Sequence, residues 1–344
     1  MVHLINTFLK LDALVSLHPL KRMVRIYIIL ISLLFSNTLY AATITSTAAG
    51  GLWNATGSWV GSVVPISTDD VIIATTGVNA ITVNVASTCT GVTINTGASL
   101  ISTTLALTVN GPWVKNGTYT PGTATVIFGS GLAAVNAGTG TANFNIITIA
   151  LGTTMTINTP VTVAGTFDYV SATTNSTVTI SGSNTLNITG NFSMANPGNN
   201  NSATLNVGAG TLTIGGLATL SGNSGTRKTE LTLSTGTINM NGGISVTTFA
   251  LLTFTAGGTL NLPSTVSAAV PVLTPSTGTV NYSQNAAQTV WATTYNNLTL
   301  GGSGIKTTTT ITVNSIFSLE GTATASAAPT YGASATLRYN RTTA

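Results

Sequence analysis

The residues able to do chemistry are few. Both histidines, His3 and His18, fall within the first 22 residues, so the rest of the chain has no imidazole. That removes Ser-His-Asp and Cys-His nucleophile systems, histidine general bases and histidine metal sites. The one cysteine, Cys89, can supply neither a thiolate cluster nor an intramolecular disulfide. From residue 42 onward the acids are Asp69, Asp70, Asp168, Glu230 and Glu320. The bases over the same stretch are Lys115, Arg227, Lys228, Lys306, Arg338 and Arg341. What such a set could still do is cleave polysaccharides, by paired carboxylates or by carboxylates around Ca²⁺ with a base beside them. Asp69 and Asp70 are the only adjacent pair, and neighbours on a strand point to opposite faces. Asp168, Glu230 and Glu320 meet only if the fold stacks them. No catalytic, cofactor-binding or metal-ligating residue is therefore expected, and no cofactor.

Asp69-Asp70 could ligate calcium or close a turn before Val71-Ile72-Ile73, and the turn is the expected role. The run Gly301-Gly302-Ser303-Gly304-Ile305-Lys306 departs from the calcium-binding repeat Gly-Gly-x-Gly-x-Asp by placing Lys where Asp belongs. Arg227-Lys228-Glu230 is the one charged cluster beyond residue 42 and reads as a solvated corner loop, with a partner contact as the alternative. Cys89 lies beside Val83, Val85, Val92 and Ile94 and reads as a small buried apolar residue. Trp53, Trp59, Trp113 and Trp291 are sugar platforms if exposed. Trp53 and Trp59 are expected to be packed, and Trp291 is open to either. Phosphate-loop and dinucleotide signatures are missing.

The elements that must hold these residues follow from composition. Only 5% of residues are charged, against about 25% in ordinary soluble domains. Yet 43% are apolar, enough for a core. The formal charge of +4 comes largely from Lys10, Lys21, Arg22 and Arg25; beyond residue 42 six bases meet five acids, with no clustered basic face for nucleic acid. Residues 23–42 read MVRIYIILISLLFSNTLYAA. Arg25, the apolar run of residues 26–35 and Ala41 make a secretory signal peptide with cleavage before Ala42, a long leader or uncleaved anchor being the alternative. The run is too short for a membrane span, which takes about 20 apolar residues. Residues 1–22 read as an upstream extension, residues 23–41 as the signal helix, and residues 42–80 as an N-terminal cap with the first strands.

Residues 81–344 are repetitive. An aliphatic residue, then Thr or Asn, then another aliphatic recurs as Ile81-Thr82-Val83, Val161-Thr162-Val163, Leu212-Thr213-Ile214, Ile238-Asn239-Met240, Leu260-Asn261-Leu262 and elsewhere. Alternation of period two marks short half-buried strands. Gly-Thr-aliphatic openings at Gly210, Gly236, Gly258 and Gly278 are spaced by 26, 22 and 20 residues, the length of one turn of a β-solenoid. The expected fold is all-β, a parallel β-helix (β-solenoid) of roughly fourteen short stacked coils, forming a rod on the order of 65 Å long. Leu212, Ile238 and Leu260 should share one inward column. A longer echo pairs residues 123–128 with 277–282, 144–149 with 295–300, and 161–163 with 311–313, as a duplication of about 150 residues. The sequence stops at residues 337–344 in what reads as another strand, which predicts a fragment or a prematurely ended reading frame.

These motifs resemble the large β-strand-repeat surface proteins exported by Bacteroidetes-type bacteria. Gly51-Leu52-Trp53, Trp59, Pro65 and Asp69-Asp70-Val71-Ile72-Ile73 look like their N-terminal module and are similar to the opening of the G8 domain. Gly278-Thr279-Val280-Asn281-Tyr282, Ala287-Gln288-Thr289-Val290-Trp291 and Tyr295-Asn296-Asn297-Leu298-Thr299-Leu300 resemble their internal repeat. The resemblance implies a secreted or cell-surface location and carries over no catalytic residue. Such proteins typically end in a sorting domain for the type IX secretion system, which residues 1–344 do not contain. The expected function is a non-catalytic extracellular structural or adhesive rod. The alternatives are a carbohydrate-binding β-solenoid module, if Trp113 or Trp291 lies in a groove, and a polysaccharide lyase or hydrolase, if Asp168, Glu230 or Glu320 converges with a base. The expected partners are surface glycans or other cell-surface proteins, with no nucleic acid and no stable transmembrane span.

Overall fold

The computed structural model describes residues 41–129, 131–138, 140–150, 152–169, 174–194, 201–224 and 226–341. The chain divides into two units, Met1–Ala41 and Ala42–Ala344. The upstream extension and, but for Ala41, the signal helix lie outside the described residues. The second unit is a parallel β-solenoid of about 12 turns. Turns as long as 27 residues make the count smaller than fourteen.

Each middle turn lays one strand on each of three sides. One turn is Ser202–Gly208, Thr211–Ile214 and Ala218–Leu220; the next is Lys228–Leu233, Thr237–Met240 and Ile244–Val246. The first sheet has 11 strands, from Thr43–Thr45 to Val272–Thr274. The second has 8, from Ser87–Cys89 to Ile244–Val246. The third has 11, opening at Ala142–Phe144 and closing with Thr330–Tyr331 and Thr336–Arg341 on Thr312–Gly321. A four-stranded sheet that includes Gly51–Leu52 and Thr118–Thr120 serves the early turns in its stead. Where the first sheet ends, Gln288–Thr289, Ile305–Thr307 and Thr324–Ala325 form a three-stranded flank. All strands named pair in parallel with the strand one turn away.

The alternation that predicted strands also fills the interior. Leu212 and Ile214 are buried while Thr211 and Thr213 are half-buried. Register stacks Leu186, Leu212, Ile238, Leu260, Val280 and Leu298 in one column, as expected for Leu212, Ile238 and Leu260. Each fully buried aliphatic side chain contributes roughly 1.5–3 kcal/mol of transfer free energy. The long echo maps onto equivalent sides only in part: residues 161–163 and 312–313 both lie in the third sheet, whereas the other two pairs do not match. Thr125–Phe128 lies in the second sheet and its counterpart Thr279–Tyr282 in the third. An alternating segment suits any side, so sequence likeness does not fix which side it takes.

Gly210, Gly236, Gly258 and Gly278 precede the third-sheet strands, and none has its backbone in the left-handed region. Close stacking requires them. A Cβ on Gly236 would land on the Gly210 carbonyl oxygen, and one on Gly278 would enter the Phe254 ring. At the N-terminal end of the stack, Trp53 and Trp59 meet edge to face with centroids 5.2 Å apart. The Trp59 indole N–H donates to the Trp53 carbonyl at 2.7 Å.

Candidate functional surface

The solenoid distributes the acids rather than gathering them. Asp168 stands outward on the second sheet, between Thr148 and Ser193 in register. Glu230 stands outward on the first sheet between Thr204 and Leu251, accepting the Thr253 hydroxyl at 2.8 Å. Glu320 belongs to the third sheet opposite Asn340 and accepts the Ser318 hydroxyl at 3.0 Å. The three carboxylates stand on three different sheets and so do not converge with one another, while Lys228 lies two residues from Glu230 on the same outward side of its strand. Among the described residues no group of three or more His, Cys, Asp or Glu could hold a metal ion.

Asp69 is buried, and its two oxygens accept the backbone N–H groups of Ala42 (3.1 Å) and Ile66 (2.9 Å). That is the turn role expected of it. Asp70 is exposed at the start of Asp70–Ile73, so the pair points to opposite sides as strand geometry requires. Cys89 is fully buried, and its thiol is pushed up to about 12, first by burial and then by Asp70 and Asp69. A thiol held protonated is a packing group and a poor nucleophile.

All four tryptophans are buried at 1% exposure or less. Trp113 packs against Tyr119 (4.7 Å) and Phe144 (5.2 Å). Trp291 donates its indole N–H to the Ser267 carbonyl at 3.1 Å and meets Tyr282 edge to face. The Tyr295 hydroxyl donates to the Trp291 carbonyl at 2.8 Å, leaving Tyr282 to donate to Tyr295 at 2.9 Å. Burial raises the pKa of both phenols. The groove-lying Trp113 or Trp291 on which the carbohydrate-module alternative rested is absent, because these rings fill the wide core.

Arg227 and Lys228 are half-buried beside a tight turn in which the Arg227 N–H donates to the Ser224 carbonyl at 3.0 Å. Lys306 is the surprise. It is 0% exposed, and its ammonium donates to the Gln284 and Ala286 carbonyls at 2.6 and 3.0 Å. Gln288, paired with it in register, donates to the Leu262 and Ser264 carbonyls. Burial lowers the Lys306 pKa. The segment that nearly matches a calcium repeat thus carries its own cation, satisfied by backbone oxygens.

What the fold does gather is neutral and lies outside. On the third sheet two outward columns run in register over six turns. One holds Thr185, Thr211, Thr237, Thr259, Thr279 and Asn297; the other holds Asn187, Thr213, Asn239, Asn261, Asn281 and Thr299. The second column is tied to itself: Asn239 donates to Thr213 (3.2 Å), Asn261 to Asn239 (2.8 Å) and Asn281 to Asn261 (3.2 Å). These bonds span 26, 22 and 20 residues, the intervals read from the glycines. The first column was not singled out from sequence, although the Thr of every Gly-Thr-aliphatic opening was its signal. Among the described residues no helix is long and apolar enough to cross a membrane. The chain matches no family model, no curated protein and no solved structure.

Proposed function

We propose that this protein is a non-catalytic structural or adhesive element of the cell surface, exported by the signal segment of residues 23–41 and similar in kind to the β-strand-repeat surface proteins of Bacteroidetes-type bacteria. The observation that carries this reading is the contrast on the solenoid's exterior. Acidic side chains are dispersed over separate sides, while Thr and Asn repeat in register in a double column on the third sheet and a single column on the first. A parallel stack with a continuous aliphatic core is stiff and presents many copies of one weak contact, which multivalent attachment exploits. Glycans or neighbouring surface proteins are the partners this reading takes. Fractionation of expressing cells, with N-terminal sequencing, tests it. The expected product lies outside the cytoplasm and begins near Ala42; a cytoplasmic chain beginning at Met1 overturns the export on which the reading depends.

A further inference from the structure

We propose that the outward face of the third sheet, where the threonine column of Thr211, Thr237, Thr259 and Thr279 stands in register beside the self-bonded asparagine column, binds ice. The face is a lattice. Its positions repeat at about 4.8 Å from turn to turn and about 6.6 Å along each strand, the scale on which oxygens repeat at an ice surface. The register runs without a bulge from Thr185 to Asn297, so the lattice is continuous. The first sheet carries one such column, Thr156, Thr179, Asn206, Thr232, Thr253 and Thr274, but Glu230, Leu251 and Val272 break the column beside it. Asp168 breaks the second sheet, so only the third sheet pairs two unbroken columns among the described residues.

Two further observations bear on the occupant. The hydroxyls of Thr211, Thr237, Thr259 and Thr279 make no hydrogen bond to another described residue, so each is open to an external oxygen. The neighbouring asparagines are held rotamer by rotamer through their amide ladder, which limits the ordering cost of binding. The face bears no charge at any of its twelve positions, complementing an uncharged solid. A charge would carry a hydration shell of its own. A polysaccharide chain is the less fitting occupant, because the columns contain no aromatic ring on which a sugar could stack. The proposal rests on reading the solenoid exterior as a binding surface, and it does not depend on where the protein resides.

The test is ice partitioning of the purified chain during slow freezing, alongside sedimentation with crystalline cellulose and chitin. The chain should enrich in the ice fraction relative to a non-binding protein of similar size. Thr237→Lys with Thr259→Lys should abolish the enrichment, while Thr232→Lys with Thr253→Lys, on the first sheet, should leave it intact. Circular dichroism checks the fold; if the lysine pair unfolds the chain, Thr237→Val with Thr259→Val replaces it and should reduce the enrichment. Exclusion of the parent chain from ice, or equal loss from the two sheets' variants, overturns the proposal. So does sedimentation with cellulose or chitin by a chain that ice excludes, an outcome that leaves the adhesive reading standing.

Discussion

Ile238 and Thr232 lie six residues apart in one turn and face opposite ways. Ile238 is 2% exposed between Leu212 and Leu260, while Thr232 is half-buried on the outer side between Asn206 and Thr253. Ile238→Asp would bury a carboxylate in an aliphatic column with no cation opposite it. The expected loss is about 3 kcal/mol or more, whereas Thr232→Asp should cost about 1 kcal/mol or less. Urea unfolding of the two variants checks this, and equal losses would contradict the inward-outward assignment. At this scale the triplets were legible, because a period of two tells one side of a strand from the other. Lys306 was not. The carbonyls that satisfy it belong to Gln284 and Ala286, 22 and 20 residues earlier, and nothing local announces that a lysine will find acceptors one turn away.

Turns, as elements, are set by glycines, for a reason different from the usual one. Gly236 sits where successive corners touch, so an added methyl meets the Gly210 backbone. Gly257, at an exposed corner, would place its methyl 3.7 Å from the Thr277 hydroxyl, an ordinary contact. Gly236→Ala should therefore destabilise by about 1–3 kcal/mol through overpacking. Gly257→Ala should be neutral or stabilise by up to about 1 kcal/mol by restricting the unfolded chain. Thermal melting of both variants decides; destabilisation by both to the same degree would contradict the close-stacking account. The spacing of the Gly-Thr openings was readable in sequence and reappears in the asparagine ladder. Which side of the prism a strand takes was not, since Thr125–Phe128 and Thr279–Tyr282 look alike and lie on different sheets.

Over the whole second unit, parallel stacking keeps like side chains together and holds unlike sides apart. Repeated Thr and Asn become columns, while single acids stay separated: Asp168, Glu230 and Glu320 each stand on a different sheet. The scarcity of acids and bases was visible in composition, but their dispersal needed the register. The burial of Trp113 and Trp291 likewise needed the width of the core. On the function proposed above, a protein so arranged binds through its repetitive exterior and moves no protons. The measurement that tests this most directly is product formation from a panel of acidic and neutral polysaccharides, assayed as reducing ends and unsaturated sugars after incubation with the purified chain. No product above a no-protein blank is expected, and Asp168→Asn, Glu230→Gln and Glu320→Gln should all be indistinguishable from the parent. Turnover by the parent that any one of these substitutions abolishes would contradict the account.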